Sequence, residues 1–132
     1  MILDTSFLID LMNSDPDAVE LGDEIDGQGR TQRIPAQVVY ELYVGVGYTE
    51  TPAEEVEKIR AVLDARPVVE TTAEIASIAG RIDGQLRREG ERVSPNDIII
   101  GATARQYDEP VVTSNPSDFN RIPGVEIRVP GR

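Results

Sequence analysis

The chain opens on three consecutive apolar residues, Met1-Ile2-Leu3, and turns abruptly polar at Asp4-Thr5-Ser6. Phe7, Leu8, Leu11 and Met12 then recur at helical spacing, so the pattern predicts a buried strand, a polar turn and a helix. The alternation continues along the chain. Ala18, Leu21 and Ile25 mark a second short helix ending at Gly27, and residues 31–34 read as a strand. Pro35 suits a first helical turn, with Val38, Val39, Leu42 and Val46 behind it. Val56, Ile59 and Leu63 stripe a helix opening at Thr51-Pro52-Ala53-Glu54, and residues 66–70 read as a strand. Ile75, Ile78, Ala79, Ile82 and Leu86 stripe a long helix that turns hydrophilic at Arg87-Arg88-Glu89-Gly90. Ser94-Pro95-Asn96-Asp97 opens a helix whose Ile98-Ile99-Ile100 reads as buried on most sides, and residues 110–113 and 125–129 complete the strands. Helices alternating with short apolar strands predict an α/β fold with a parallel sheet between helix layers. At 132 residues, one domain spanning 1–132 is expected.

Composition narrows the chemistry sharply. There is no cysteine and no histidine, which excludes disulfides, thiolate zinc sites, cysteine nucleophiles and the usual general base. The balance of 24 acidic to 13 basic side chains, a net charge of −11, argues by itself against a broad nucleic-acid-binding face. The same balance is what a protein in concentrated salt carries, because screening shortens to about 3 Å at 1 M and self-repulsion fades. No apolar run approaches the ~20 residues that span a bilayer, and no leader pattern precedes Asp4, so a cytoplasmic location is expected.

In open parallel sheets, ligands bind beyond the carboxyl ends of the strands. Polar clusters follow two of the expected strands, Asp4-Thr5-Ser6 and Thr113-Ser114-Asn115-Pro116-Ser117-Asp118. Two more carboxylates, Glu41 and Asp97, lie in otherwise apolar helices. A carboxylate in an apolar surround is costly without a cation or hydrogen bonds, and convergence of the four on Mg²⁺ or Mn²⁺ would account for them together. Each has a plainer alternative. Asp4 can cap the helix after it, Asp97 stands three residues after Ser94 as in a capping box, Asp118 stands likewise after Asn115, and Glu41 can be a solvated surface residue. Other carboxylate chemistries fail on particular residues: Ser6 stands where a haloacid-dehalogenase-type phosphatase has its second Asp, and no glycine-rich phosphate loop ends in lysine.

Asp4-Thr5-Ser6-Phe7-Leu8-Ile9-Asp10, Val39-Tyr40-Glu41-Leu42, Pro95-Asn96-Asp97-Ile98-Ile99-Ile100 with the Gly-Ala-Thr-Ala after it, and Thr113-Ser114-Asn115-Pro116-Ser117-Asp118-Phe119 resemble, in order and spacing, the motifs of PIN-domain ribonucleases. The likeness is greatest to VapC-type toxins of toxin–antitoxin pairs and covers nearly the whole chain. Gly101 departs from the pattern, standing where alanine is more usual. The resemblance implies a three-layer α/β/α sandwich, RNA cleavage dependent on Mg²⁺ or Mn²⁺, a homodimer, and a cognate antitoxin that masks the site. Carried over by position, Asp4, Glu41, Asp97 and Asp118 form the acidic metal site, with Thr5, Ser6, Thr113 and Asn115 as its polar neighbours. Arg87, Arg88 and Arg92 are the densest basic run for RNA phosphates, the alternative being a solvated helix end. Leu42, Tyr43 and Val46, with Val56, Ile59 and Leu63, are candidate partner surface, the alternative being core. A non-catalytic RNA- or protein-binding module and a metal-dependent DNA nuclease are the rival functions. Four mutually repelling carboxylates disfavour the first, and the short chain without added basic clamps disfavours the second.

Overall fold

The computed structural model describes residues 1–131. Five two-residue strands alternate with six helices: β1 (Ile2–Leu3), α1 (Thr5–Met12), α2 (Pro16–Gly27), β2 (Ile34–Pro35), α3 (Ala36–Tyr48), α4 (Pro52–Leu63), β3 (Val68–Val69), α5 (Ala73–Arg88), α6 (Pro95–Tyr107), β4 (Val111–Val112) and β5 (Ile127–Arg128). A single 3₁₀ turn, Phe119–Arg121, lies before β5. All pairings are parallel: β1 with β4, β4 with β5, and β2 with β3. A bridge between Ile2 and Arg33 joins the two groups, giving the order β3-β2-β1-β4-β5. The expected α/β class with a parallel sheet is what forms.

The strands are shorter than the apolar runs that announced them. β2 comprises Ile34 and Pro35 rather than residues 31–34, and the helix starts at Ala36. Pro35 has no N–H to extend the ladder, so the strand stops where the helix begins. Upstream, the Gln32 side chain is buried and donates to the Gly22 carbonyl (3.2 Å) and to Asp26 (2.8 Å), tying that segment to α2 instead of to a strand.

Helix ends follow local chemistry. Asp15 accepts from the Ala18 N–H ahead of Pro16, and Thr72 accepts from Ile75, each cap being worth about 1 kcal/mol. The stripe Ile75, Ala79, Ile82 and Leu86 on α5 is buried and packs on α6, which also contacts β1 and β4. α6 is accordingly buried on most of its surface, through Ile98, Ile100, Ala102, Thr103 and Ala104. Gly101 belongs to a close approach: a Cβ there would meet Ile122 Cδ1 at 3.0 Å and Val125 Cγ2 at 3.4 Å. The alanine expected at that position would press on the segment leading to β5.

Two expectations about surface and caps are corrected. Leu42 and Ile59 are buried core residues, not partner surface; the exposed apolar residues of α3 are Tyr40, Tyr43, Val44 and Tyr48. Asn115 and Pro116 do not open a helix, and Asp118 precedes the 3₁₀ turn without making a capping bond. No helix among the described residues is long and apolar enough to cross a membrane.

Candidate metal centre

Parallel register places the carboxyl ends of β1 and β4 side by side, Leu3 opposite Val112. The residues that follow, Asp4 and Thr113, are therefore neighbours although 109 positions apart, and the Thr113 hydroxyl donates to Asp4 Oδ2 at 2.7 Å. Ser6 Oγ donates to the same oxygen at 2.8 Å. Both hydroxyls also accept backbone N–H groups, Ser6 from Ser114 and Thr113 from Asn115, each at 3.0 Å. Each hydroxyl has one proton, so with both directed at Asp4 their mutual 3.0 Å contact is not a third bond. This arrangement fixes one oxygen of a carboxylate that is only 5% exposed and leaves Oδ1 without a hydrogen bond from the described residues. Asp4 stands at the N-cap position of α1 yet makes no cap bond there. Its capping alternative is not realised.

Glu41, from α3, and Asp97, from the first turn of α6, complete the wall of a cleft of about 320 Å³ with Asp4, Thr5, Ser6 and Asn115. Burial pushes the Glu41 carboxyl above its ordinary range, and the Asp4 charge adds to this. The neighbouring Thr5 hydroxyl pulls the other way, but its geometry falls short of a hydrogen bond. Glu41 Oε1 and Thr5 Oγ1 both stay buried without a partner. Asp97 is displaced further, to about 7, by burial first, then by the Asp4 charge, the adjoining Asp118 and Glu41. Ser94, at the N-cap of α6, makes no side-chain cap bond, so the capping-box alternative for Asp97 also lacks half of its geometry.

Of the expected polar neighbours, Thr5, Ser6 and Thr113 lie against the carboxylates. Asn115 lines the cleft, but its side-chain oxygen accepts only from Ser117 (3.5 Å). Two further features escaped the sequence reading. Ser114 Oγ donates to Asp10 Oδ2 at 2.6 Å, fastening the turn after β4 to α1. Arg121 reaches Asp118 at 3.4 Å and Glu91 at 2.8 Å, so Asp118 alone among the four acids has a basic partner among the described residues. Asp10 stood inside a quoted motif and signalled its presence; nothing near Arg121 in sequence pointed to Glu91, 30 positions away.

Among the described residues, no three acidic side chains are close enough to enclose an ion as they stand. Mutual repulsion opposes that closure, and the same repulsion shows in Asp97. The donor set nevertheless fits a hard divalent cation, since every available ligand is oxygen and the buried Glu41 Oε1 lacks any other partner.

The PIN domain family model matches residues 1–125. The chain belongs to the PIN domain family. Among curated relatives, this PIN domain is 25% identical over 124 residues to ribonuclease VapC2 of Rickettsia felis, covering 94% of the chain and 92% of that protein. Among solved structures it superposes on VapBC2 from Rickettsia felis bound to a promoter DNA fragment with a TM-score of 0.88, at 23% identity over 97% of this chain and 96% of that one. VapBC-5 from Mycobacterium tuberculosis, of the VapBC family of toxin–antitoxin systems, matches with a TM-score of 0.70 and 25% identity over 97% of this chain and 94% of that one. PIN-domain ribonucleases are in general divalent-metal dependent, in keeping with the all-oxygen donor set of this cleft.

Proposed function

We propose that this PIN domain is an endoribonuclease that hydrolyses RNA phosphodiester bonds with Mg²⁺ or Mn²⁺, and that it is the toxin of a toxin–antitoxin pair. In this reading one domain spans 1–132, acts in the cytoplasm as a homodimer, and is masked by a cognate antitoxin. The observation that carries it is the convergence of Asp4, Glu41 and Asp97 at the ends of parallel strands, with a buried Glu41 oxygen that has no hydrogen-bond partner and no basic side chain paired to the three among the described residues. Kinship with ribonuclease VapC2 and the likeness to VapBC-5 supply the reaction class and the kind of partner.

Asp4 and Asp97 would hold the metal, with Glu41 and Asp118 completing its surroundings directly or through water. A bound divalent ion acidifies water and offsets charge on phosphoryl oxygens, which makes hydrolysis accessible without histidine. Ser6 and Thr113 lock one oxygen of Asp4, so that carboxylate meets its ligand pre-oriented. Thr5 stands beside Glu41 with a hydroxyl able to donate to it. The bonds to the Ser114 and Asn115 N–H groups hold the turn after β4, and with it Thr113, against Asp4.

The test is cleavage of labelled cellular RNA by the purified chain. Cuts at defined positions with Mg²⁺ or Mn²⁺, abolished by EDTA and restored by excess metal, are expected. Full-rate cleavage in excess EDTA would remove the metal from the mechanism, and intact RNA under all metal conditions would remove the activity.

A further inference from the structure

A second cleft, larger at about 500 Å³, lies between the end of α5 and the start of α6. Val93 and Pro95 line it, while Ser94 and Asp97 line the carboxylate cleft, so one stretch of backbone divides the two. Its charged residues are Asp83, Arg87, Glu91 and Arg92. Asp83 is paired with Arg87 at 2.9 Å, and Glu91 with Arg121 at 2.8 Å. Arg121 also donates to the Arg92 carbonyl, anchoring the loop that carries Arg92. Asp83 and Glu91 thus each have a basic partner, Arg121 being shared between Glu91 and Asp118. Arg92, and Arg88 on the adjacent helix end, have no acidic partner within 4 Å among the described residues, and both are exposed. In a chain of net charge −11, two guanidinium groups free of an acidic partner among the described residues sit directly beside the carboxylate cleft.

We propose that this cleft is a phosphate subsite for the RNA strand flanking the cut, with Arg92 its principal contact and Arg87 a second. The inference rests on the ribonuclease reading above. A polyanion approaching Asp4, Glu41 and Asp97 is repelled unless cations draw in the neighbouring phosphates, and an arginine fork matches phosphate oxygens in bidentate fashion. Arg87 can shift from Asp83 to a phosphate at small cost, because its ion pair is largely solvent-exposed. Arg92 is thus a positioning residue: it holds the strand, and touches no reacting group.

The experiment measures anisotropy of a labelled single-stranded RNA with the full chain in an Asp97→Asn background, in Mg²⁺, across a salt series. Arg92→Gln should weaken binding about 5- to 10-fold at 0.1 M salt and lower the slope of log K against log salt by about 0.7, the share of one phosphate contact. Arg92→Lys should recover part of both, and Arg60→Gln, on α4, should change neither. In the cleaving chain, Arg92→Gln should lower kcat/KM on long RNA while leaving cleavage of a dinucleotide, which has no flanking phosphate, unchanged. An unchanged affinity and salt slope in Arg92→Gln overturns the subsite, even if the wild-type chain cleaves RNA. If Arg92 governs RNA binding but the wild-type chain never cleaves, the subsite stands and the ribonuclease reading falls.

Discussion

At the N-terminal end of β1, the Met1 ammonium, Arg30 and Arg33 converge on the carboxylate of Glu109. At its C-terminal end, Asp4, Glu41 and Asp97 converge, with no basic side chain among the described residues paired to any of them. The consequences run in opposite directions. Burial alone would push Glu109 up, but the hydrogen bond and charge of the ammonium, with those of Arg30, outweigh it and hold Glu109 below its ordinary range. Burial of the ammonium outweighs the attraction of Glu109 and lowers its pKa in turn. Asp97 meets burial and like charges together and rises to about 7. The chain therefore has arginines enough to neutralise a confined carboxylate, and deploys them at one end of a two-residue strand but not at the other. A fold that retains uncompensated charge carries a standing cost, which an external cation can remove.

Asp97→Asn should have the largest effect. Cleavage should fall by at least about 100-fold, as for the loss of a group that acts only at the reacting centre. In EDTA the same variant should melt at or above the wild-type temperature, because a repelled charge has been removed. If stability instead drops by about 1 kcal/mol while cleavage persists, Asp97 serves only the first turn of α6, as the capping-box partner of Ser94, and the contrast dissolves.

The opposite end should respond in mirror image. Glu109→Gln strands an ammonium and two guanidinium groups, of which the ammonium is buried, and is expected to cost about 1–2 kcal/mol in urea unfolding. Metal-dependent cleavage should be unaffected.

The smallest effect is the pH dependence of the metal-free fold. Asp97 has its folded pKa raised from 3.8 to about 7, so the folded state holds that proton more tightly. The associated stabilisation is present at low pH and is lost as pH climbs from about 4 through about 7. Glu109, with a lowered pKa, contributes stability present above the ordinary glutamate range and lost as pH falls below it. Between pH 5 and pH 8 in EDTA, the melting temperature should therefore fall by a few degrees. That slope should flatten in Asp97→Asn and persist in Glu109→Gln. The Met1 ammonium, with its lowered pKa, opposes this fall as pH approaches 8, so the deciding quantity is the wild-type slope against that of Asp97→Asn; identical slopes would show that Asp97 carries no such burden.

Much of the fold was legible because helical stripes and apolar runs are local. Ile75, Ala79, Ile82 and Leu86 announced α5 and its buried face without reference to anything distant. The candidate site was legible in residue type and in position after a strand, as with Asp4 and Thr113. Burial of individual stripe members was not. Leu42 and Ile59 read equally well as surface or core, and only the packing of α3 and α4 on their neighbouring helices puts them inside. Nor did spacing decide between cap and ligand. Asp4, Ser94 and Asp118 all occupy N-cap positions, and none makes the side-chain bond the motif offers.

The sequence by itself determined the order of elements, the placement of carboxylates after strands, and, through the absence of histidine and cysteine, a donor set made only of oxygen. Which of those charges are compensated depends on how the strands come together. Glu109 meets Arg30 across 79 positions and Asp4 meets Thr113 across 109, the second pairing set by the parallel register of β1 on β4 and the first by that register together with the Ile2–Arg33 bridge. Coulombic and hydrogen-bonding energies depend on separation and burial, and neither quantity exists along a chain until the sheet has closed.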